Sequence, residues 1–290
     1  MSIQNDLRKS IFSIIKRNND GSYATQADRR TILTRFSKDL VSLKYGLRDI
    51  YNLKEKHILA VIKFWKEKKL KTSTIQNRMA VLRYLAKKIN KPNLIPANNK
   101  LGIERRTYIP VRNRAFHDPS FSKINNQYVR VSLELQRVFG LRREESLKIK
   151  PHVADKGDKL ELLSSWCKGG RGRVIPIRTE EQRYWLEQAK NLARKFNHSL
   201  IPENKNYIRQ RYVYEKQVAR AGLKNMHGLR HAYAQQRYKE LTGWDAPING
   251  GPKSCDLTRE QKQIDYKARM ILTEELGHSR EQITVNYLSR

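Results

Sequence analysis

The sequence contains few cysteines, few acidic residues and no long apolar run. Cys167 and Cys255 are the only cysteines among 290 residues, so neither a disulfide framework nor a Cys-x-x-Cys metal site can form. The N-terminal residues lack an apolar stretch as long as a signal peptide, and no segment approaches the length of a membrane span. These absences predict a cytoplasmic protein that keeps its thiols reduced and has no membrane partner.

Acidic residues are outnumbered by basic ones throughout the chain. Lys and Arg number 60 against 28 Asp and Glu, which gives a net charge of +32. Residues 1–100 hold 23 basic and 7 acidic residues, and residues 101–290 hold 37 and 21, so each part carries +16. Enzymes of small metabolites do not need this excess, although a solubilising surface is an alternative explanation. The charge favours a polyanionic partner, most simply nucleic acid.

Apolar residues at helical spacing predict four helices in the first ninety residues. In the stretch 73–89 the apolar positions recur every three or four residues. They are Ile75, Met79, Leu82, Ala86 and Ile89. Thr72 or Ser73 is a candidate N-cap for this helix. Similar stripes over 25–42 and 55–69, and a helix through Ile11, complete a small bundle.

A helix-breaking stretch separates this bundle from a region of different texture. Residues 90–100 hold two prolines and four asparagines, which predicts a linker over 91–105 between domains at 1–90 and 106–290. Helical patterns follow over 127–150, 180–196 and 206–221. Two β runs, 160–165 and 173–177, flank a glycine-rich turn. The predicted fold is mainly α with a small β-hairpin: a helical domain followed by a mixed α+β domain.

The stretch MHGLRH at 226–231 has three possible explanations. His227 and His231 are spaced i, i+4, as in a helical metal site. However, a zinc protease helix of this type needs Glu after the first histidine, and Gly228 stands there. The stretch could also be an ordinary basic helix start, or half of a phosphate clamp.

Metal-free cleavage of a DNA phosphodiester requires a definable set of side chains. Cationic donors must stabilise the charged transition state, and arginine does so with a planar fork of N–H groups. A nucleophile must attack, and an acid must protonate the departing 5′ oxygen. The chain supplies candidates in this order: Arg142 with Glu145, Lys168, His227 with Arg230, His278 and Tyr287. Each alone has an ordinary structural explanation, but their joint occurrence favours phosphate chemistry.

These motifs resemble the tyrosine recombinase, or phage-type integrase, family. The matching elements are GLR-x-x-E at 140–145, a hairpin lysine at 168, H-x-L-R-H at 227–231, LGH at 276–278 and a tyrosine at 287. The resemblance covers about residues 100–290. The basic helical part, 1–90, is similar to the family's core-binding (SAM-like) DNA-binding domain. The implied fold is this domain joined to a tyrosine-recombinase catalytic domain.

The resemblance implies a role for each matched residue. Arg142 and Arg230 would clamp the scissile phosphate, and Tyr287 would attack it to form a 3′-phosphotyrosine link. Lys168 would protonate the 5′ oxygen. The remaining roles are implied as follows: His227 would assist proton transfer, His278 would hydrogen-bond the phosphate and Glu145 would orient the site. No metal or other cofactor is implied.

The resemblance also implies a site-specific recombinase, the integrase of a mobile genetic element, acting on double-stranded DNA as a homotetramer with accessory DNA-bending or directionality factors. Candidate DNA contacts in the first domain are Arg78, Arg83, Lys87 and Lys88. A type IB topoisomerase-like nicking and resealing enzyme and a non-catalytic DNA-binding protein are the alternatives. One departure from the family pattern is a Gly/Pro-rich insertion at 242–261, between Arg230 and His278.

Overall fold

The computed structural model describes residues 3–117 and 119–290. The chain divides into two compact units, Met1–Thr107 and Tyr108–Arg290. The predicted fold class is confirmed, because the secondary structure is helical apart from one two-stranded antiparallel sheet among the described residues.

The first unit is a bundle of four helices. They are α1 (Ile3–Arg17), α2 (Tyr23–Ser42), α3 (Glu55–Glu67) and α4 (Thr72–Lys88). The apolar stripe predicted for α4 is buried from Ile75 to Ile89 and packs in the core of the unit. The predicted cap was wrong, because Lys71 occupies the N-cap position and makes no side-chain capping bond.

The segment predicted as a linker, 91–105, packs against this bundle. It contains two short 3₁₀ turns, Pro92–Leu94 and Asn99–Leu101, and its apolar residues Ile95 and Ile103 are buried in the core. Arg83 of α4 donates hydrogen bonds to the carbonyl of Pro96 and to Asn98 Oδ1, at 2.6 and 2.7 Å. Two buried isoleucines therefore attach a proline- and asparagine-rich segment to the first unit.

The second unit combines helices with a short hairpin that has one exposed face. Its helices are α5 (Gln127–Phe139), α6 (Arg143–Lys148), α7 (Pro151–Ala154), α8 (Glu180–Ala193), α9 (Tyr207–Arg220), α10 (Gly228–Thr242), α11 (Arg259–Glu275) and α12 (Val285–Leu288). Strands β1 (Lys159–Leu162) and β2 (Arg173–Pro176) pair antiparallel, with Leu162 opposite Arg173. Across the described part of the chain, no helix is both long enough and apolar enough to traverse a lipid bilayer.

Helix α5 lies at the centre of the second unit and packs against α8 and α10. It ends at Gly140, whose φ of +61° belongs to the left-handed region. A Cβ at this position would lie 2.5 Å from Cδ1 of the Tyr233 ring on α10. Glycine is therefore required both by the backbone conformation and by the close approach of α10.

The insertion at 242–261 is folded back onto α10. Gly243 ends α10 in the left-handed conformation, and Ala246 is fully buried. Trp244 Nε1 donates to Tyr238 Oη of α10 at 3.2 Å. A 3₁₀ turn at Pro247–Asn249 follows, and Thr258 then caps α11. The insertion is thus a packed part of the second unit.

Candidate active site

Arg142 and Glu145 form a capping pair at the start of α6. The backbone N–H of Arg142 donates to Glu145 Oε2, and its Nη1 donates to Oε1, both at 2.7 Å. Glu145 is fully buried, whereas 22% of the Arg142 side chain is exposed. Among the described residues, Glu145 is the one hydrogen-bond acceptor for the side chain of Arg142. The arginine therefore keeps donors for an external anion.

Arg173, at the start of β2, is a site residue that the sequence analysis missed. Its Nη1 and Nη2 donate to Oε1 and Oε2 of Glu145 at 3.0 and 2.7 Å, and its Nε donates to the carbonyl of Glu275 at 2.7 Å. The alternating sequence RVIPI could have indicated that Arg173 is buried, because Arg173 lies on the same inward face of the strand as Ile175. A basic residue on that face needs a buried acidic partner.

Opposing influences act on the Glu145 carboxyl. Burial would raise its pKa, but the hydrogen bonds and charge of Arg173, together with the charges of Arg142 and Arg230, lower it to about 2. The carboxylate is therefore ionised at neutral pH. It holds Arg142 and Arg173 in fixed orientations.

Arg230 is buried in the first turn of α10. Its exposed fraction is 1%. Its Nη1 donates to the Gly140 carbonyl at 2.5 Å, its Nη2 donates to the Leu276 carbonyl, and its Nε donates to Tyr287 Oη at 3.2 Å. Burial, with the nearby charge of Arg142, lowers the pKa of Arg230 to about 10, so the group is still charged at neutral pH. Backbone carbonyls thus fix a cation directly behind the tyrosine hydroxyl.

His278 lies on the other side of that hydroxyl. It follows Gly277, which leaves α11 with φ +62°, and its backbone N–H donates to the Thr273 carbonyl at 2.8 Å. His278 Nε2 lies 3.1 Å from Tyr287 Oη and 3.4 Å from Arg230 Nη2. Burial, followed by the positive charge of Arg230, lowers the pKa of His278 to about 3, so its imidazole is neutral.

The hydrogen-bond directions follow from the chemistry of these three groups. A guanidinium can only donate, so Nε2 of His278 is the acceptor opposite Arg230. The hydroxyl of Tyr287 then donates its proton to the same nitrogen, while it accepts from Arg230 Nε. The proton of Tyr287 therefore faces His278.

His227 and His231 pack around the Tyr287 ring. Their ring centroids lie 6.4 and 4.7 Å from it, and the two imidazoles meet edge to face at 5.4 Å. Burial lowers the pKa of each to about 4, and neighbouring positive charge adds to the effect. Over residues 3–117 and 119–290, no three His, Cys, Asp or Glu side chains are grouped to hold a metal ion.

One cleft of about 880 Å³ collects most of the candidate side chains. It is lined by Arg142, Glu145, Lys168, His227, His278 and Tyr287, among other residues. Lys168 is exposed in the connection between β1 and β2, next to Gly169 and Gly170, whose φ values are +75° and +67°. Arg230 is covered by Tyr287. The structure therefore brings all six predicted catalytic residues and Glu145 into one region.

Two family models match this chain in succession. The model described as "Phage integrase, N-terminal" matches residues 5–94, and the model described as "Integrase" matches residues 107–236. Together they span most of the sequence, in the order in which the two units occur. The chain belongs to the tyrosine recombinase family. Enzymes of this family break and rejoin DNA.

Solved structures of other tyrosine recombinases share the fold. XerH site-specific recombinase bound to palindromic difH substrate is 17% identical, covering 97% of this chain and 80% of that one, with a TM-score of 0.59. Lambda integrase (residues 75–356) bound to DNA is 16% identical, with coverages of 91% and 96% and a TM-score of 0.54. The Tn1549 transposon integrase with a circular intermediate DNA is 13% identical, with coverages of 98% and 95% and a TM-score of 0.55. No curated protein matches the chain.

The structure of the first unit contradicts one of the four predicted DNA contacts of this recombinase, the contact by Arg78. Arg78 is 5% exposed, lies over the Trp65 ring and pairs with Asp39 at 3.7 Å, so its charge is directed into the bundle. Arg83 is partly buried and bonded within its own unit, as described above, and Lys88 lies 3.6 Å from an Asp20 carboxylate oxygen. Lys87 is exposed. Burial of α4 against α2 and α3 removes Arg78 from the candidates, and the other three stay predictions.

Proposed function

We propose that the chain is the integrase of a mobile genetic element and that Tyr287 cleaves double-stranded DNA to form a 3′-phosphotyrosine intermediate. The observation that carries this proposal is the environment of the Tyr287 hydroxyl. A buried cation, Arg230, donates to it, and a neutral imidazole, His278, accepts from it. The same cleft holds the exposed cations Arg142 and Lys168. The lambda and Tn1549 integrases with bound DNA, which share this fold, support the assignment.

The proposed cleavage gives each group one task. His278 takes the hydroxyl proton as Tyr287 Oη bonds to phosphorus, and Arg230 stabilises the developing phenolate. The bond between phosphorus and the 5′ oxygen breaks as Lys168 gives that oxygen a proton. Resealing reverses these steps with a 5′ hydroxyl from another strand. The energy of the phosphodiester is held in the protein link, so neither ATP nor a metal enters the balance.

The two arginines of the proposed clamp are in different states before DNA arrives. Arg142 retains unused donors at the edge of the cleft, whereas the Nε donor of Arg230 is occupied by Tyr287. We therefore infer that a phosphate oxygen binds first to Arg142. It then replaces the tyrosine oxygen at Arg230 as that oxygen bonds to phosphorus. Glu145 keeps Arg142 in place throughout.

The proposed partners follow from the chemistry of strand exchange. Exchanging both strands of two duplexes requires four cleavages. If each chain supplies one nucleophile with its own catalytic groups and makes one cleavage, four protomers act together on DNA. The net charge of +32 suits a complex of this kind. Accessory DNA-bending or directionality factors belong to the same proposal.

A two-duplex assay tests recombination against the topoisomerase-like alternative. Two DNAs that carry the native site should yield hybrid products with the unmodified chain, and Tyr287→Phe should yield none while it still binds DNA. Relaxation of supercoiled DNA without hybrid products would favour a nicking and resealing enzyme. Retarded DNA without any covalent adduct would favour a non-catalytic binding protein.

A further inference from the structure

A buried glutamine connects the insertion at 242–261 to the segment that carries the nucleophile. Gln235 on α10 is 2% exposed. Its Nε2 donates to the backbone carbonyl of Tyr287 and to Asn113 Oδ1, both at 2.9 Å. Its Oε1 accepts from Asn113 Nδ2 at 3.2 Å and from Asn249 Nδ2 of the insertion at 3.0 Å. Both donors and both acceptor sites of this amide are therefore used.

Backbone groups fix the polarity of this network at both ends. The N–H of Ala115 can only donate, and it donates to Asn113 Oδ1 at 2.9 Å. Asn113 Nδ2 is thereby turned toward Gln235 Oε1 and toward Asn249 Oδ1, the latter at 2.6 Å. The Tyr287 carbonyl can only accept, so it requires the nitrogen of Gln235. Both requirements give the same orientation of all three amides.

Helix α12 depends on such external support. It has four residues, fewer than a helix needs to be stable alone, and its carbonyls have few partners within it. Gln235 satisfies the carbonyl of Tyr287 itself. Arg269 of α11 donates to Ser289 O at 3.1 Å and to Thr284 Oγ1 at 3.3 Å, on either side of the nucleophile. Tertiary hydrogen bonds thus hold the segment that carries Tyr287, in addition to the bonds that Arg230 and His278 make to its hydroxyl.

The insertion is shaped to present Asn249 to this network. Ala246 is fully buried, and Gly251 approaches so closely that a Cβ there would lie 1.7 Å from the Asp245 carbonyl. Gly251 N–H also donates to the Ala246 carbonyl at 3.2 Å. The chain therefore doubles back on itself around the turn that ends at Asn249. This turn contacts α12.

We propose that Gln235 is a positioning residue for the nucleophile and that the insertion, through Asn249, holds Gln235 in its productive orientation. The inference rests on the proposed role of Tyr287. It assigns the insertion a function inside its own protomer. Gln235 does not touch the reacting atoms, and it acts only through the backbone of Tyr287.

Two substitutions and one control test this inference in the full-length chain. Gln235→Glu replaces the amide donor with an oxygen that faces the Tyr287 carbonyl. Single-turnover cleavage of a nicked suicide substrate should fall about 10- to 100-fold, as expected for a misplaced nucleophile, with DNA affinity unchanged. Asn249→Asp removes one donor to Gln235 at the surface and should give a smaller fall in the same direction. Ser254→Ala, at an exposed position of the same insertion, should have no effect.

An external nucleophile separates positioning from general damage to the site. In a Tyr287→Phe background, hydroperoxide can attack the phosphate in place of the tyrosine, and the phosphate clamp is still needed. Gln235→Glu should leave this peroxide-dependent cleavage unchanged. An equal fall in both reactions, or tyrosine-dependent cleavage at the unmodified rate, would overturn the inference. If Gln235→Glu does not fold, tyrosine-dependent and peroxide-dependent cleavage are compared in Asn249→Asp, and the same outcomes support or overturn the inference. Covalent adducts formed by Tyr287→Phe alone would overturn the nucleophile assignment and this inference with it.

Discussion

Lys168 makes no side-chain hydrogen bond or ion pair with any residue that the structure describes. Arg142, Arg230, His278 and Tyr287 are each bonded to another part of the second unit, whereas Lys168 is exposed beside two glycines in left-handed conformations. Nothing in the described part of the chain restrains its ammonium group. Such a residue is suited to meet a 5′ oxygen that arrives only with DNA.

Changing the leaving group tests the role of Lys168 as the acid. Lys168→Ala should cleave a normal substrate very slowly, because a 5′ alkoxide leaves poorly without a proton. A 5′-bridging sulfur leaves as a thiolate, and a thiol is far more acidic than an alcohol, with cysteine at a pKa of about 8.5, so the same variant should cleave that substrate nearly at the unmodified rate. Arg230→Ala should not be rescued, because its charge acts elsewhere on the phosphate. Equal impairment of Lys168→Ala on both substrates would exclude the lysine as the acid.

His231 predicts a specific loss of stability in acid. The unfolded imidazole takes up a proton near pH 6.5, about its reference value, whereas burial keeps the folded group neutral down to about pH 4. The free energy of unfolding should therefore fall as the pH is lowered between these values. His231→Asn should reduce this dependence by up to about 1.4 kcal/mol per pH unit, measured by urea denaturation. The exposed His117→Asn is the control, and an unchanged pH dependence in His231→Asn would contradict the assignment.

At the scale of elements, Arg173 joins three parts of the site. From the first residue of β2 it reaches Glu145 in α6, the carbonyl of Glu275 at the end of α11, and Cys167 Sγ at 3.5 Å, next to Lys168. The hairpin, the Arg142 segment and the segment that leads to His278 are thereby held by one guanidinium. The close packing extends to Gly277, where a Cβ would lie 2.9 Å from Arg173 Cδ.

Removing Arg173 should therefore be costly. Arg173→Met leaves the buried Glu145 charge without two of its hydrogen bonds and should lower the free energy of unfolding by about 3–5 kcal/mol. Adding Glu145→Gln should recover part of this loss, because the buried charge is then absent. Glu215→Gln removes exposed ion pairs with Arg143 and Arg211, and it should cost about 0–1 kcal/mol per pair. Urea denaturation measures the free energy of unfolding of all three variants. An Arg173→Met effect no larger than that of Glu215→Gln would contradict the role assigned to Arg173.

The contrast between α4 and β2 shows what the sequence could predict. The period of Ile75, Met79 and Leu82 is a local property, so it predicted both the helix and its buried face. Whether a charged side chain is buried depends on residues that are distant in the sequence. Arg78 is buried because Trp65 and Asp39 lie opposite it, and Arg173 because Glu145 does. The candidate catalytic residues were chosen from their motifs and stay predictions, whereas their hydrogen-bond partners depend on contacts between distant segments.

At the scale of the whole molecule, residues 1–100 and 101–290 each carry a net charge of +16, and we propose that both units contact DNA phosphates. Each phosphate contact adds about 0.9 to the slope of log affinity against log salt. The full chain should therefore show a steeper slope than residues 108–290, which contain their own buried core. Filter binding over a series of salt concentrations gives both slopes, with circular dichroism to verify that the fragment is folded. Equal slopes would mean that the charge of the first unit is not used on DNA.

The most direct test of the proposed chemistry is to map the covalent adduct. A nicked suicide substrate with the native site should accumulate one protein–DNA link in excess EDTA, and mass spectrometry of the digested complex should place the 3′ phosphate on Tyr287. The released strand should carry a 5′ hydroxyl. An adduct on any other residue, or cleavage that is lost on chelation and restored by zinc, would contradict the proposed mechanism.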